Sequence, residues 1–297
     1  MLWIPMIIAS TTALLLVALG VFSGVLGALV GIGGGIIVVP ALVLLFGFDI
    51  KLAVAASLVT VVATSTTAGS VYVGKGLANM RLGMSLEVAT TLGGLSGGLS
   101  AALISPSILA GLFAAMMGVT AALLLRKQKE ANSKGVLNER PVSHLSGTLQ
   151  EPGALTGSYF DDEKQQLVEY RAEKLWLGGG VSFFAGVISG LLGVGGGFIK
   201  VPAMHLGMRV PIKVAAATSN FMIGCTAISS LFVYLARGYV HPAIAAPVAL
   251  GTAAGSLYGT RLAKTVSAKT LKYLLAAILL GVGVQMLLRA LGVGHGR

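Results

Sequence analysis

Residues 193–197 read GVGGG, and residues 31–35 read GIGGG. Each run leads into a short apolar stretch closed by a proline, FIKVP at 198–202 and IIVVP at 36–40. An offset of 162 positions lays one copy on the other without a gap. From Gly31–Ser57 against Gly193–Ser219, 14 of 27 positions are identical. The shared pattern is G-[IV]-G-G-G-x-I-x-V-P-A, then I-K-x-A-x-A-x-S. The register persists further on, where Thr64 meets Thr226, Val71-Tyr72 meets Val233-Tyr234 and Gly76 meets Gly238. One offset held over that distance is an internal repeat.

The setting of the repeat is apolar. Of 297 residues, 55% are hydrophobic and 10% charged, with mean hydropathy +0.89; a soluble domain carries about a quarter charged residues. No charge precedes Asp49, and several apolar runs exceed the ~18 residues of a candidate span. This predicts an all-α, polytopic integral membrane protein. The N-terminal apolar run lacks a basic region and continues to Val30, so it reads as a retained first helix and not a cleaved signal. The single cysteine, Cys225, excludes an intramolecular disulfide and a Cys-rich metal site. Among apolar neighbours it reads as packing filler.

The net charge of +11 does not point to nucleic acid. Residues 126–174 hold eight basic and eight acidic residues, so the excess comes from 13 basic and two acidic residues elsewhere. Positive charge at span boundaries marks cytoplasmic loops and the surface of the lipid bilayer.

Each copy parses into five apolar segments. In residues 1–125 these are Met6–Val30, Ile36–Phe48, Leu52–Gly74, Leu82–Ile104 and Ile108–Leu125. In residues 175–297 they are Leu175–Val194, Phe198–Met208, Val214–Ala236, Ala243–Leu262 and Leu271–Leu288. The second segment of each set is too short to cross ~30 Å as an ordinary helix. It is a half-helix, a re-entrant piece, or a helix joined to its neighbour through the glycines. Residues 126–174 form a polar linker. Its run GSYFDDEKQQLVEYRAE alternates about Asp162-Glu163-Lys164, as a β-hairpin or a solvated loop would. Residues 127–156 read as a flexible connector.

Charge in the loops sets the relation between the copies. The turn Ser105-Pro106-Ser107 is uncharged, while its counterpart carries Arg261, Lys264, Lys269 and Lys272. These turns fall on opposite sides if each copy crosses an odd number of times, which predicts two inverted-topology repeats. The positive-inside bias then places the linker, Lys75 and Arg81 in the cytoplasm and both termini outside a bacterial-type plasma membrane.

Inverted repeats with broken helices are typical of secondary transporters, whose substrate site lies near the midplane. Gly33, Gly34, Gly35 and Gly195, Gly196, Gly197 break the helix, and the segment that restarts exposes backbone N–H groups to an anion. Pro40 and Pro202 kink or shorten that segment. By contrast, Gly24, Gly27, Gly93, Gly97, Gly186, Gly190 and Gly255 read as close-packing positions. Ser57 and Ser219 either meet a substrate oxyanion or bond back to their own helix. Asn220 needs a partner in lipid, and Thr64 and Thr226 read as helix–helix glue. Lys200, where the first copy has Val38, is a substrate contact or a snorkelling side chain. Glu87, the only carboxylate within a predicted span, couples protons or pairs at an interface with Arg81. Lys51 and Lys213 fall at loop turns, and His205 and His241 read as structural. No nucleophile–base set, metal cluster or cofactor site is visible, so the chain does not read as an enzyme. The expected partners are a small anionic substrate and lipid, with a homo-oligomer left open.

At these residues the chain resembles the TauE/SafE family of sulfite and organosulfonate exporters. The resemblance rests on the doubled glycine motif, on I-K-x-A-x-A-x-S and on the linker run GSYFDDEKQQLVEY. It implies an all-helical secondary transporter of small sulfur-containing anions, exporting by alternating access. An anion channel or an uptake permease would use the same architecture.

Overall fold

The computed structural model describes residues 3–30, 33–126, 155–161, 166–262 and 268–291. Gly31, Ile32, residues 127–154 of the connector, residues 162–165 and Lys264 lie outside them. Ten α-helices and one β-hairpin follow in the order α1 (Trp3–Val30), α2 (Gly35–Leu44), α3 (Ile50–Gly74), α4 (Met80–Leu103), α5 (Pro106–Arg126), β1 (Leu155–Asp161) and β2 (Gln166–Ala172). Next come α6 (Leu175–Leu192), α7 (Gly197–Pro202), α8 (Ile212–Ala236), α9 (Pro242–Leu262) and α10 (Ala268–Ala290). The offset of 162 carries Ile50–Gly74 onto Ile212–Ala236 end for end. The fold is all-α apart from the hairpin, and α1, α3, α6 and α8 are long and apolar enough to cross a membrane.

Local chemistry sets the helix ends. Asp49 caps α3 by accepting from the Lys51 N–H at 2.8 Å, and Asn79 caps α4 by accepting from Leu82 N–H at 3.0 Å. Pro202 cannot donate to the preceding turn. Directly after it the helix widens into one π turn, Ala203–Gly207, held by a 2.9 Å hydrogen bond between His205 Nδ1 and the Val210 carbonyl. Pro40, its counterpart, stays inside α2.

Helix pairs from different repeat copies build the body, and glycine decides how close they come. α1 packs along α9, and α4 along α6. A Cβ at Gly251 would meet the Val17 carbonyl at 2.2 Å, and one at Gly255 the Val21 carbonyl at 2.2 Å. On α4, a Cβ at Gly93 would meet the Phe183 carbonyl at 2.1 Å, and one at Gly97 the Val187 carbonyl at 2.2 Å. Both series climb in step, so both pairs run parallel. The glycine-for-packing reading holds at Gly24, Gly27, Gly186 and Gly190 as well, each with backbone atoms of the opposing segment within 2.5 Å of a would-be Cβ. The two central helices run the other way. Lys51, at the start of α3, lies over the ring of Tyr239, just past the end of α8, and Asn79, just past α3, donates its N–H to Thr218 near the start of α8. α3 and α8 are therefore antiparallel.

The linker contains an antiparallel hairpin with Leu155 opposite Ala172 and Asp161 opposite Gln166. Of the two sequence alternatives, the hairpin is what forms. It seats Tyr159, Val168 and Ala172 on Leu82 and Leu86 of α4 and on Met204, Met208 and Val214 around the π turn. Asn79 Nδ2 donates to the Tyr170 hydroxyl at 2.9 Å, Glu173 N–H to the Met208 carbonyl at 3.1 Å, and Arg209 pairs with Glu173 at 3.2 Å. Burial pushes the Tyr170 hydroxyl above its ordinary range.

Candidate functional site

The two glycine runs turn the chain in ways other residues resist. Gly33 has φ +75°, and Gly193, Gly195 and Gly196 have φ +70°, +81° and +70°. After each turn a helix restarts in the same manner. The Gly34 carbonyl accepts from the N–H groups of Ile37 and Val38, and the Gly196 carbonyl from those of Ile199 and Lys200, all at 3.2 Å.

The turns meet at the centre of the molecule. Gly33 lies against Ile223 and Val61, and Gly195 lies against Val61 and Ile223. Val61 and Ile223 are partners under the offset of 162 and sit midway along α3 and α8. From that point α2 runs out toward the start of α3, where the Val43 carbonyl accepts from Arg289 Nη1 at 2.5 Å. α7 and the π turn run out toward the start of α8. The short segments are thus half-helices that start from adjoining turns.

Between the turns the chain packs closely at Gly35. A Cβ at Gly35 would come within 2.4 Å of the Gly193 carbonyl and 2.7 Å of Ser57 Oγ. Ser57 Oγ donates to that same carbonyl at 2.7 Å, so it binds neither its own helix nor open space but the other copy's glycine turn. Its counterpart Ser219 is fully buried, and Ser219 Oγ has no partner; Ser189 Oγ, beside the Gly196 turn, also has none. Asn220 donates Nδ2 to the Ala216 carbonyl at 3.2 Å, while its Oδ1 is unpaired. A cavity of about 210 Å³ lies elsewhere, lined by Val43, Asp49, Ile50, Pro106, Ser107, Ala110 and Arg289.

Next to the second turn the structure brings together charges far apart in sequence. Lys200, on α7, is 1% exposed, so it does not snorkel. Its Nζ donates to Thr226 Oγ1 on α8 at 2.8 Å. Thr226 Oγ1 lies 3.0 Å from Glu87 Oε1 on α4 and 3.0 Å from the Met222 carbonyl of its own helix, the two acceptors of its one O–H, and Thr91 Oγ1 approaches the same Glu87 oxygen at 3.3 Å. Glu87 is 8% exposed, and its Oε2 has no partner. The interfacial pairing with Arg81 is therefore corrected. Arg81 is exposed, six residues back on α4, and about 240° round the helix from Glu87. Thr226, read as glue, is the bridge between the two charges. A signal for the cluster was present in the repeat: Lys200 stands opposite Val38 and Glu87 opposite Ala249, so both charges break the duplication. Cys225 is a half-buried free thiol beside them, and Lys51 lies on the first turn of α3, its Nζ donating to the Ala102 carbonyl at 3.1 Å. Lys213 lies on the first turn of α8. The His241 carbonyl starts α9 by accepting from Ile244 and Ala245.

The profile of the family described as Sulfite exporter TauE/SafE matches residues 16–286. The chain belongs to the TauE/SafE family. It is 25% identical over 280 residues to "Probable membrane transporter protein YunE" of Bacillus subtilis, covering 92% of this chain and 96% of that one. To "Probable membrane transporter protein MJ0441" of Methanocaldococcus jannaschii it is 28% identical over 291 residues, covering 92% and 95%. A stretch of 109 residues is 37% identical to "Sulfite exporter TauE/SafE family protein 1" of Arabidopsis thaliana, covering 36% and 23%. No solved structure matches. Membership in TauE/SafE makes the chain a multi-pass membrane transporter, in keeping with its apolar helices.

Proposed function

We propose that this TauE/SafE protein is a secondary transporter that exports a small sulfur oxyanion or sulfonate, such as sulfite, across the plasma membrane. The observation that carries the reading is Lys200, a buried cation beside the convergence of two glycine turns. A buried ammonium is costly unless negative charge answers it, and Glu87 reaches Lys200 only through Thr226, which leaves the ammonium open to a direct anion contact. Here an anion resting against Lys200 would also meet the Ser219 and Asn220 side chains of α8 and the backbone of Gly33–Gly35 and Gly195–Gly197. With the turns packed together, the anion enters only when they separate, as alternating access requires.

Two repeats of inverted topology, residues 1–125 and 175–297, supply the framework in this reading. The antiparallel course of α3 and α8 supports the inversion. The linker 126–174 is cytoplasmic and both termini are outside, in line with the basic turn after α9 and the uncharged turn after α4.

The test is flux of radiolabelled sulfite and thiosulfate in proteoliposomes. Saturable flux that stops with Lys200→Met, while Arg81→Met transports normally, is the expected result. Saturable flux undiminished by Lys200→Met would remove Lys200 from the site. Non-saturating, purely dissipative flux would make the protein a channel.

A further inference from the structure

The unpaired oxygen of Glu87 has no role in holding the fold. At the positions related to Lys200 and Glu87 by the repeat, the chain places Val38 and Ala249, and Val38 is fully buried in an apolar core. The architecture therefore closes around this region without charge. A buried ion pair generally adds little stability over an apolar replacement, so a pair present in one half only is retained for something other than packing.

We propose that Glu87 is a proton carrier, so that the anion held at Lys200 crosses together with one proton. The inference rests on the reading of Lys200 as the anion contact. Lys200 and an ionised Glu87, joined through Thr226, sum to zero charge. An anion arriving at Lys200 leaves the cluster at net −1, or at −2 for a dianion, in a poorly polarisable interior, where uncompensated charge is costly. A proton from the aqueous side on which the site opens removes one unit of that negative charge by forming one O–H bond at Glu87 Oε2, the oxygen that no donor occupies. That bond breaks when the site opens to the other side and the anion leaves. No electron moves, and no other co-reactant is needed.

The groups around Glu87 leave it the part. Thr90, Thr91 and Thr226 are hydroxyls; Lys200 is the cation it faces from α7, and Cys225 on α8 is a half-buried thiol. α6, packed along α4, has no ionisable side chain from Leu175 to Leu192. Arg81 on its own helix is exposed, and His205 on the π turn is engaged with the Val210 carbonyl.

Binding linkage makes this measurable, because a proton taken up with the anion must tighten anion binding as pH falls. Titration calorimetry on the full-length protein with thiosulfate and sulfate, neither of which titrates between pH 5 and 8, is expected to show affinity falling by up to roughly tenfold per pH unit. Glu87→Gln is expected to bind at the acid-limit affinity at every pH. In proteoliposomes loaded with a pH-sensitive dye, thiosulfate flux by the wild type should move protons in the same direction, and flux by Glu87→Gln should not. Wild-type flux with a silent dye, or a pH slope kept by Glu87→Gln, overturns the proposal and leaves anion transport standing. A wild type that binds no anion at any pH overturns both. The dye measurement on the wild type needs no variant to fold.

Discussion

Lys200, Thr226 and Glu87 form a chain of three side chains in which each removal has a different consequence. Lys200→Met leaves a buried carboxylate facing only hydroxyls, and breaking a buried pair from one side costs about 3–5 kcal/mol. Removing both charges, as Lys200→Met with Glu87→Gln, should recover most of that loss, because Val38 and Ala249 show that the fold accepts apolar side chains there. Thermal unfolding of the single and double variants checks this, and a double variant no more stable than Lys200→Met would refute it. The glycine turns answer to sterics. Gly35→Ala drives a methyl to 2.4 Å from the Gly193 carbonyl, an overpacking that costs about 1–3 kcal/mol. Gly47→Ala, which meets nothing within 4 Å but shares a positive φ of +69°, isolates the backbone component at about 1–2 kcal/mol. The order of stability should be wild type, Gly47→Ala, Gly35→Ala. The charges themselves were visible in the sequence as departures from the repeat. Their bridge was not, since Thr226 reaches the Met222 carbonyl just as its counterpart Thr64 reaches that of Thr60, and nothing in the sequence marks that Thr226 also touches two charges.

Among the elements, helices were the most legible. The third segments, read as Leu52–Gly74 and Val214–Ala236, begin two residues earlier, at Ile50 and Ile212, because Asp49 and Pro211 terminate the preceding chain. That α4 packs closely on another helix could be read from small-residue spacing alone. Its partner could not, because the interface joins residues far apart in the chain. Gly93→Leu should force α4 from α6 and destabilise more than Gly118→Leu, which faces open space; unfolding midpoints compare them. The hairpin was left between two readings because alternation over so few residues also suits an irregular loop. Its seat on the π turn makes a specific expectation. Tyr170→Phe removes the bond to Asn79, a loss of about 1 kcal/mol, and should speed proteolysis within the linker while α3 and α8 stay intact.

For the molecule as a whole, the duplication could be read from one offset, while length showed only that the second segments are too short for an ordinary span. What lay beyond the sequence was that the two turns touch, since nothing local in GIGGG records that Gly35 abuts Gly193. Orientation is open to a direct check. In a Cys225→Ala background, cysteines at Ser107 and Lys269 should be labelled from opposite sides of a sealed vesicle by an impermeant maleimide. Labelling of both from one side would show the repeats to be parallel.

The pairing of α1 with α9 and of α4 with α6 has a consequence for how the chain is made and how it moves. α1 leaves the ribosome with its glycine flank uncovered, and roughly two hundred further residues are synthesised before Pro242 begins the helix that covers it. Neither duplicated half can finish alone, so fragments cut in the linker should be stable only when expressed together. In the proposed alternating access, the same interlock makes these cross-woven pairs the bodies that would rock against each other, with a seam that does not fall where the ancestral copies were joined.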